Sequence, residues 1–215
     1  MNIQEYINIF LKDRNHKDRY SSFDFCYNHF YSFYKKNRIE ELSNKNNLEI
    51  SCYKLWFYLA SWWMMRGSSF LLQKSVSHYQ ELIKAISKMP QKYWEIDIDN
   101  YTNENIEILL EIKSIIINAL WKENKASDTL VTKIMLWIFW NIPAFDQYFK
   151  KWLKVWKVNK INLIKVSEFY INNKKDLQSF KIQTLDFEDW NKTNIYYTKA
   201  KILDMYWFQK WFEES

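Results

Sequence analysis

Leu55–Gln73 reads LWFYLASWWMMRGSSFLLQ, and the fold turns on how its first half is interpreted. From Leu55 to Met65 there is no charged residue. The run is shorter than the ~20 residues that cross a bilayer and lacks the strict alternation of a half-buried strand. It predicts a central helix over 55–66, buried nearly all round. Gly67 then ends that helix in the left-handed conformation. Ser68 or Ser69 caps a following helix over 70–89, which Pro90 stops.

The flanking segments repeat the helical period. Residues 3–11 form a short first helix. Phe23, Cys26, Tyr27, Phe30 and Tyr34 recur at steps of three and four, so 21–36 is helical, with Ser21 or Ser22 as cap. Residues 37–47 are polar and read as a loop with a short helical turn. Ile96 and Ile98 alternate, which suggests extended chain over 92–101. Thr102 caps a long helix to Leu120, with Glu104 in its first turn, where a carboxylate suits the positive helix end. Ser127 or Asp128 caps a helix to about Trp140. Asn141-Ile142-Pro143 breaks it, and helices follow over 145–155, 163–172 and 199–212. Residues 181–194 carry no readable pattern. There is no repeat, heptad array or linker, so the expectation is one all-α domain over residues 1–215.

Composition narrows the class. The chain has 215 residues, 48% apolar and 26% charged, which excludes disorder throughout. Cys26 and Cys52 are too few for a disulfide framework. With His16, His29 and His78 they show no zinc spacing, so no metal is expected. No Walker A, dinucleotide or HExxH motif occurs, so no cofactor is expected either. The N-terminus lacks the basic start and apolar core of a signal peptide, and the expected setting is the cytoplasm, with no membrane partner. The net charge is +6, but Lys outnumbers Arg 27 to 4 and there are 20 Asn. That usage follows AT-rich coding DNA.

The chain holds a single glycine and twelve tryptophans, against an ordinary expectation of ~15 glycines. Trp56, Ala60, Trp63 and Gly67 fall at steps of four, three and four, on one face of the helix expected there. Glycine at 56 and 63 would make that face a groove for close helix packing. The same spacing logic covers Trp137, Trp140 and Ala144, and then Trp152 and Trp156. Some bacterial lineages read UGA as glycine, whereas a common alternative table reads it as tryptophan. The expectation is therefore that several of these Trp stand where the native polypeptide has Gly. A Trp-rich core of stacked indoles is the competing reading.

Four blocks carry a family resemblance. LWFYLASWWMMRGSSFLLQ is similar to a motif of an uncharacterised bacterial protein family with glycine at the positions of Trp56 and Trp63. TLVTKIMLWIFWNIPAFDQYFKKWLK (129–154) resembles a second block of that family, with glycine at Trp137, Trp140 and Trp152. KILDMYWFQKWF (201–212) and CYNHF (26–30) resemble its C-terminal and N-terminal blocks. Together they cover about a third of the chain. The resemblance implies kinship without an activity.

Three groups of residues could carry chemistry. Arg66, Gly67, Ser68 and Ser69 form a candidate anion pocket, in which free N–H groups of the following helix, two hydroxyls and a guanidinium meet a phosphate. The plainer reading is ordinary capping. Lys133 and Asp146 lie 13 residues apart across the Pro143 break. A lysine in a helix-packed pocket can lose its proton and attack an aldehydic carbon, with a nearby carboxylate stabilising positive charge. Ile142-Pro143-Ala144-Phe145-Asp146 faintly resembles the segment after the helix lysine of helix-hairpin-helix DNA glycosylases. Here the Lys-to-Asp spacing is shorter and the glycine-rich hairpin is absent. The plainer reading has Asp146 as a helix cap and Lys133 in solvent. Lys150, Lys151, Lys154, Lys157, Lys160 and Lys165, interleaved with Trp152 and Trp156, would suit single-stranded nucleic acid. The plainer reading is a solvated helix face. Asp204, Tyr206 and Gln209 are a weaker polar set.

The sequence therefore leads to a helical protein binding an anionic partner, nucleic acid before small phosphate. A glycosylase/lyase-like enzyme using Lys133 and Asp146 is one alternative. A structural interaction module is the other.

Overall fold

The computed structural model describes residues 1–12, 14–67, 69–120 and 126–214. Amphipathic periodicity becomes helix along most of it: α1 (Ile3–Lys12), α2 (Arg19–Lys35), α3 (Leu48–Ser61), α4 (Gln80–Ile86), α5 (Asn103–Leu120), α6 (Asp128–Ile138), α7 (Gln147–Leu153), α8 (Lys160–Asn172), α9 (Lys174–Leu177) and α10 (Lys199–Glu214). The fold is all-α, with one small hairpin. No helix among the described residues is long and apolar enough to cross a membrane.

The helix buried on every side is α6, in which all residues from Leu130 to Ile138 are buried. α2, α3 and α5 pack around it. α3 behaves differently from the expectation for 55–66. It buries Ser51, Cys52, Leu55, Tyr58 and Leu59 but leaves Tyr53 and Phe57 exposed, so it is one-faced. It also stops earlier, because the chain turns left-handed at Trp63 (φ 63°). The Trp63 N–H donates to the Ala60 carbonyl (3.1 Å) and the Met64 N–H to that of Leu59 (2.9 Å). This is the Schellman closure, with Trp63 in the place usually held by glycine. Trp63 and Gly67 therefore lie beyond the helix, and the expected 56–60–63–67 face does not form. Gly67 (φ 57°) shapes the next turn instead.

The expected helix over 70–89 is broken into two 3-10 turns, Phe70–Gln73 and Val76–Tyr79, followed by α4. Residues 92–101 are two further 3-10 turns, Gln91–Trp94 and Ile98–Asn100, rather than extended chain. Ser21 and Ser22 lie inside α2, where each hydroxyl donates to an upstream carbonyl, those of Asn15 and Arg19 respectively. The expected caps do form at Thr102 and Ser127, whose hydroxyls accept from Asn105 N–H and Leu130 N–H.

Residues 183–196, most of them in the stretch without a readable pattern, form the hairpin. β1 (Gln183–Leu185) pairs antiparallel with β2 (Lys192–Tyr196), Gln183 opposite Tyr196 and Leu185 opposite Lys192, with a register irregularity between. Its loop places Trp190 at φ 62°. A buried polar knot fastens the hairpin to α2. Asp24 pairs with Arg14, accepts the Leu185 N–H (3.0 Å) and accepts the Tyr197 hydroxyl (2.6 Å). Arg14 also donates to the Gln183 carbonyl (2.9 Å). Burial pushes the Asp24 carboxyl above the usual range, against the pull of Arg14 and Tyr197.

α6 ends as α3 does. Trp140 sits one residue past its cap at φ 54°, and its N–H closes on the Leu136 carbonyl (3.1 Å). For a bulky L-residue this region costs ~1–3 kcal/mol. The fully buried Trp140 indole lies 3.1 Å from the Tyr27 ring, centroid to centroid, inside the ~3.5–4.0 Å at which carbon atoms pack best. The Trp137 and Tyr58 rings crowd into one space. The indole N–H groups of Trp137 and Trp140 are buried without an acceptor among the described residues, although buried indoles ordinarily find one.

Candidate functional site

The site is organised by residues 139–146, which follow α6 and run past Pro143 into α7. A chain without regular structure must place its buried polar groups individually, and here partners from four regions do so. Tyr101 donates its hydroxyl to the Asn141 carbonyl (2.6 Å) and Thr198 to that of Trp140 (2.7 Å). Thr129 donates to the Phe145 carbonyl (2.8 Å), and Thr132 accepts the Phe145 N–H (2.8 Å). Asp204 Oδ1 accepts the Ala144 N–H (3.0 Å). Thr129, Thr132 and Lys133 share the α6 face toward this segment because they lie three and four residues apart.

Asp146 emerges at the end of the segment as the cap of α7. Its Oδ1 accepts from the Tyr148 and Phe149 N–H groups, both at 3.0 Å. Burial raises its carboxyl above the ordinary range, opposed first by the charge of Lys133. Lys133 is buried on α6 rather than solvated, with 9% of its surface exposed. It lines both an outer cleft of about 290 Å³ and an inner pocket of about 40 Å³, and so does Asp146. The structure thus brings together the two residues paired from the sequence. Capping also holds for Asp146, which uses one oxygen for it.

Arg66 lines the outer cleft with Thr129, Gln147 and Tyr148. Its guanidinium lies 4.8 Å from the centre of the Trp63 ring. The anion pocket expected around it takes another form. Phe70–Gln73 is a single 3-10 turn, too short to present a helix terminus to a phosphate. The Ser69 hydroxyl is spent on the Met64 carbonyl (2.6 Å) and the Leu71 N–H (3.3 Å). Gly67 serves the backbone turn, and Ser68 lies outside the described residues. Among the described residues of that set, Arg66 alone lines the cleft.

The lysines from 150 to 165 do not share one helix, because α7 ends at Leu153 and Lys154 turns left-handed (φ 53°). Lys150 folds back to donate to the Thr129 hydroxyl (3.1 Å), at the cleft edge. Lys160 pairs with Glu107 (3.1 Å). Lys151, Lys154, Lys157 and Lys165 are exposed. Trp152 and Trp156 are both exposed, and the Lys210 ammonium lies 4.3 Å from the Trp152 ring centre.

The inner pocket adds two residues that sequence reading did not join to Lys133. Lys201 and Asp204 sit one turn apart on α10, with Nζ to Oδ2 at 3.1 Å. Lys201 is almost wholly buried, and its ammonium lies 3.9 Å from the Phe23 ring centre. Burial lowers its pKa, and the nearby Lys133 charge adds to that, while Asp204 opposes it. Tyr206 and Gln209 do not line this pocket. The available signal was the charged pair at 201 and 204 inside an otherwise apolar turn.

The arrangement can hold an anionic group at Arg66 and Lys133 and can pair an amine with a carboxylate behind it. Among the described residues no cluster of His, Cys, Asp and Glu could hold a metal ion. Comparison of the chain with protein-family models, curated proteins and solved structures gives no match.

Proposed function

We propose that this cleft binds a nucleic-acid strand through its phosphates and that Lys133 and Asp146, at its base, form a lyase-like reactive pair. The observation that carries the reading is the shared cleft: an exposed guanidinium, a buried amine and a half-buried carboxyl line it together. Arg66 supplies a planar donor fork for phosphate. Lys133 supplies the group that adds to an aldehydic sugar carbon, and Asp146 steadies the positive charge that develops. Borohydride trapping on DNA with an abasic site tests the reaction. A covalent complex that disappears in Asp146→Asn supports it, and the absence of any complex refutes it.

A purely binding role is the second reading, because one oxygen of Asp146 is already committed to the α7 cap. Affinity for an undamaged strand that falls steeply with salt, without trapping, would select it.

The same proposal includes glycine at positions 63, 140 and 190 of the native polypeptide. What supports it is backbone conformation: these three Trp occupy the left-handed region, two of them one residue beyond a helix cap. Crowding of the Trp137 ring against Tyr58 extends it to position 137. The coding DNA tests it, since UGG at these positions would refute it.

A further inference from the structure

We propose that Arg19 is a second phosphate-binding arginine of the outer cleft and closes with Arg66 on one phosphate of the bound strand. The inference rests on the strand-binding reading above and adds to it a residue from α2. Lys133 and Asp146 keep the roles given there.

The four arginines divide by their partners. Arg14 pairs with Asp24 and Arg38 with Glu41. Arg19 and Arg66 have no carboxylate partner among the described residues. They meet on one aromatic ring instead: their guanidinium carbons lie 4.3 and 4.8 Å from the centre of Trp63. A guanidinium held over a ring keeps N–H donors for a second ligand, and two such forks can share the oxygens of one phosphate.

Solvent reaches the ring that joins them. Trp63 is 45% exposed and lines the outer cleft with Arg66. Arg19, the first residue of α2, is half-buried. Its guanidinium also lies 5.3 Å from the ring centre of Trp62, another cleft-lining residue. It therefore stands at the edge of the same cleft, behind the Trp63 indole. Glycine at 63 would remove that screen and open the cleft onto Arg19.

The balance of charge calls for an anion there. Arg66 and Lys133 line the cleft, Lys150 reaches its edge at Thr129, and Arg19 adjoins it. Among the described residues Asp146 is the one carboxylate lining the cleft, and burial disfavours its charged form. Cations gathered this closely without counter-charges repel one another, and a phosphate between them relieves that repulsion.

Fluorescence anisotropy of a labelled single-stranded oligonucleotide over a salt series tests the inference. The proteins are the full chain, Arg19→Gln, Arg19→Lys and Arg38→Gln, each also prepared with Trp63→Gly. Arg38→Gln removes the same charge beyond the far end of α2. The expected result for Arg19→Gln is a log–log salt slope shallower by ~0.7 and affinity weaker by ~10-fold. Arg19→Lys should keep the slope, which a role in packing alone would not predict. If Arg19→Gln matches Arg38→Gln in both backgrounds, or if Arg19→Lys loses the slope as Arg19→Gln does, the inference is overturned and the strand-binding reading stands. Binding that is absent, or that ignores salt, in every one of these proteins overturns both.

Discussion

Replacing Trp63 by glycine and, separately, by alanine isolates the backbone from the side chain. Both variants remove the indole and its contacts with Arg19 and Arg66, so those losses cancel in the difference. What remains is the left-handed backbone at φ 63°. There an L-residue with a Cβ is disfavoured by ~1–2 kcal/mol relative to glycine. Trp63→Gly is therefore expected to be more stable than Trp63→Ala by that amount. Trp56 supplies the control, because it lies inside α3, where alanine is better than glycine by ~1 kcal/mol. The preference changes sign between two positions seven residues apart, a swing of ~2–3 kcal/mol. For a chain of this length ~1 kcal/mol moves Tm by ~2–4 °C. Urea titration and calorimetry on the four variants read it directly. If Trp63→Ala is as stable as Trp63→Gly, the left-handed closure of α3 is refuted, and with it the structural argument for glycine there.

Other outcomes follow from the same contacts. Burial, then the Lys54 charge, lowers His29 from 6.5 to about 4. The unfolded chain therefore binds a proton that the folded one refuses. Stability is expected to be full above pH 6.5 and to fall by up to ~3 kcal/mol as pH drops toward 4. His29→Gln should flatten that part of the profile in pH-dependent urea denaturation. Asp24→Asn leaves the buried Arg14 unpaired and should cost ~3–5 kcal/mol, while Tyr197→Phe removes one charge-assisted hydrogen bond, worth ~1.5–3 kcal/mol; chemical denaturation ranks the two. Thr132→Val orphans the Phe145 N–H at a cost of ~1–3 kcal/mol. It should weaken nucleic-acid binding in a filter assay more than Lys157→Ala does, because it displaces the segment that carries Asp146.

The helices with polar caps were legible. Thr102 and Ser127 announce α5 and α6 by side-chain chemistry that works locally, and the pairing of Lys133 with Asp146 followed from a lysine and a proline break lying close in sequence. One misplaced helix end and one unread hairpin share a cause. The sequence predicts helix through to Arg66 because nothing at Trp62-Trp63 signals a stop, although the backbone stops there. The hairpin at 183–196 went unread because its turn is written Asp189-Trp190-Asn191. With glycine at 190 that stretch would read Asp-Gly, among the strongest short hairpin signals. Lys201 was missed for a different reason. Its neighbours Phe10 and Phe23 come from α1 and α2, and no spacing within α10 reveals them.

The partners of the 139–146 segment come from Tyr101, Thr129, Thr132, Thr198 and Asp204, which are scattered over half the chain. No local stretch can assemble this segment by itself. During synthesis this segment lacks its contacts with Thr198 and Asp204 until α10 docks, so a nascent or clipped polypeptide without its last helix leaves the Trp140 carbonyl and the Ala144 N–H without those partners.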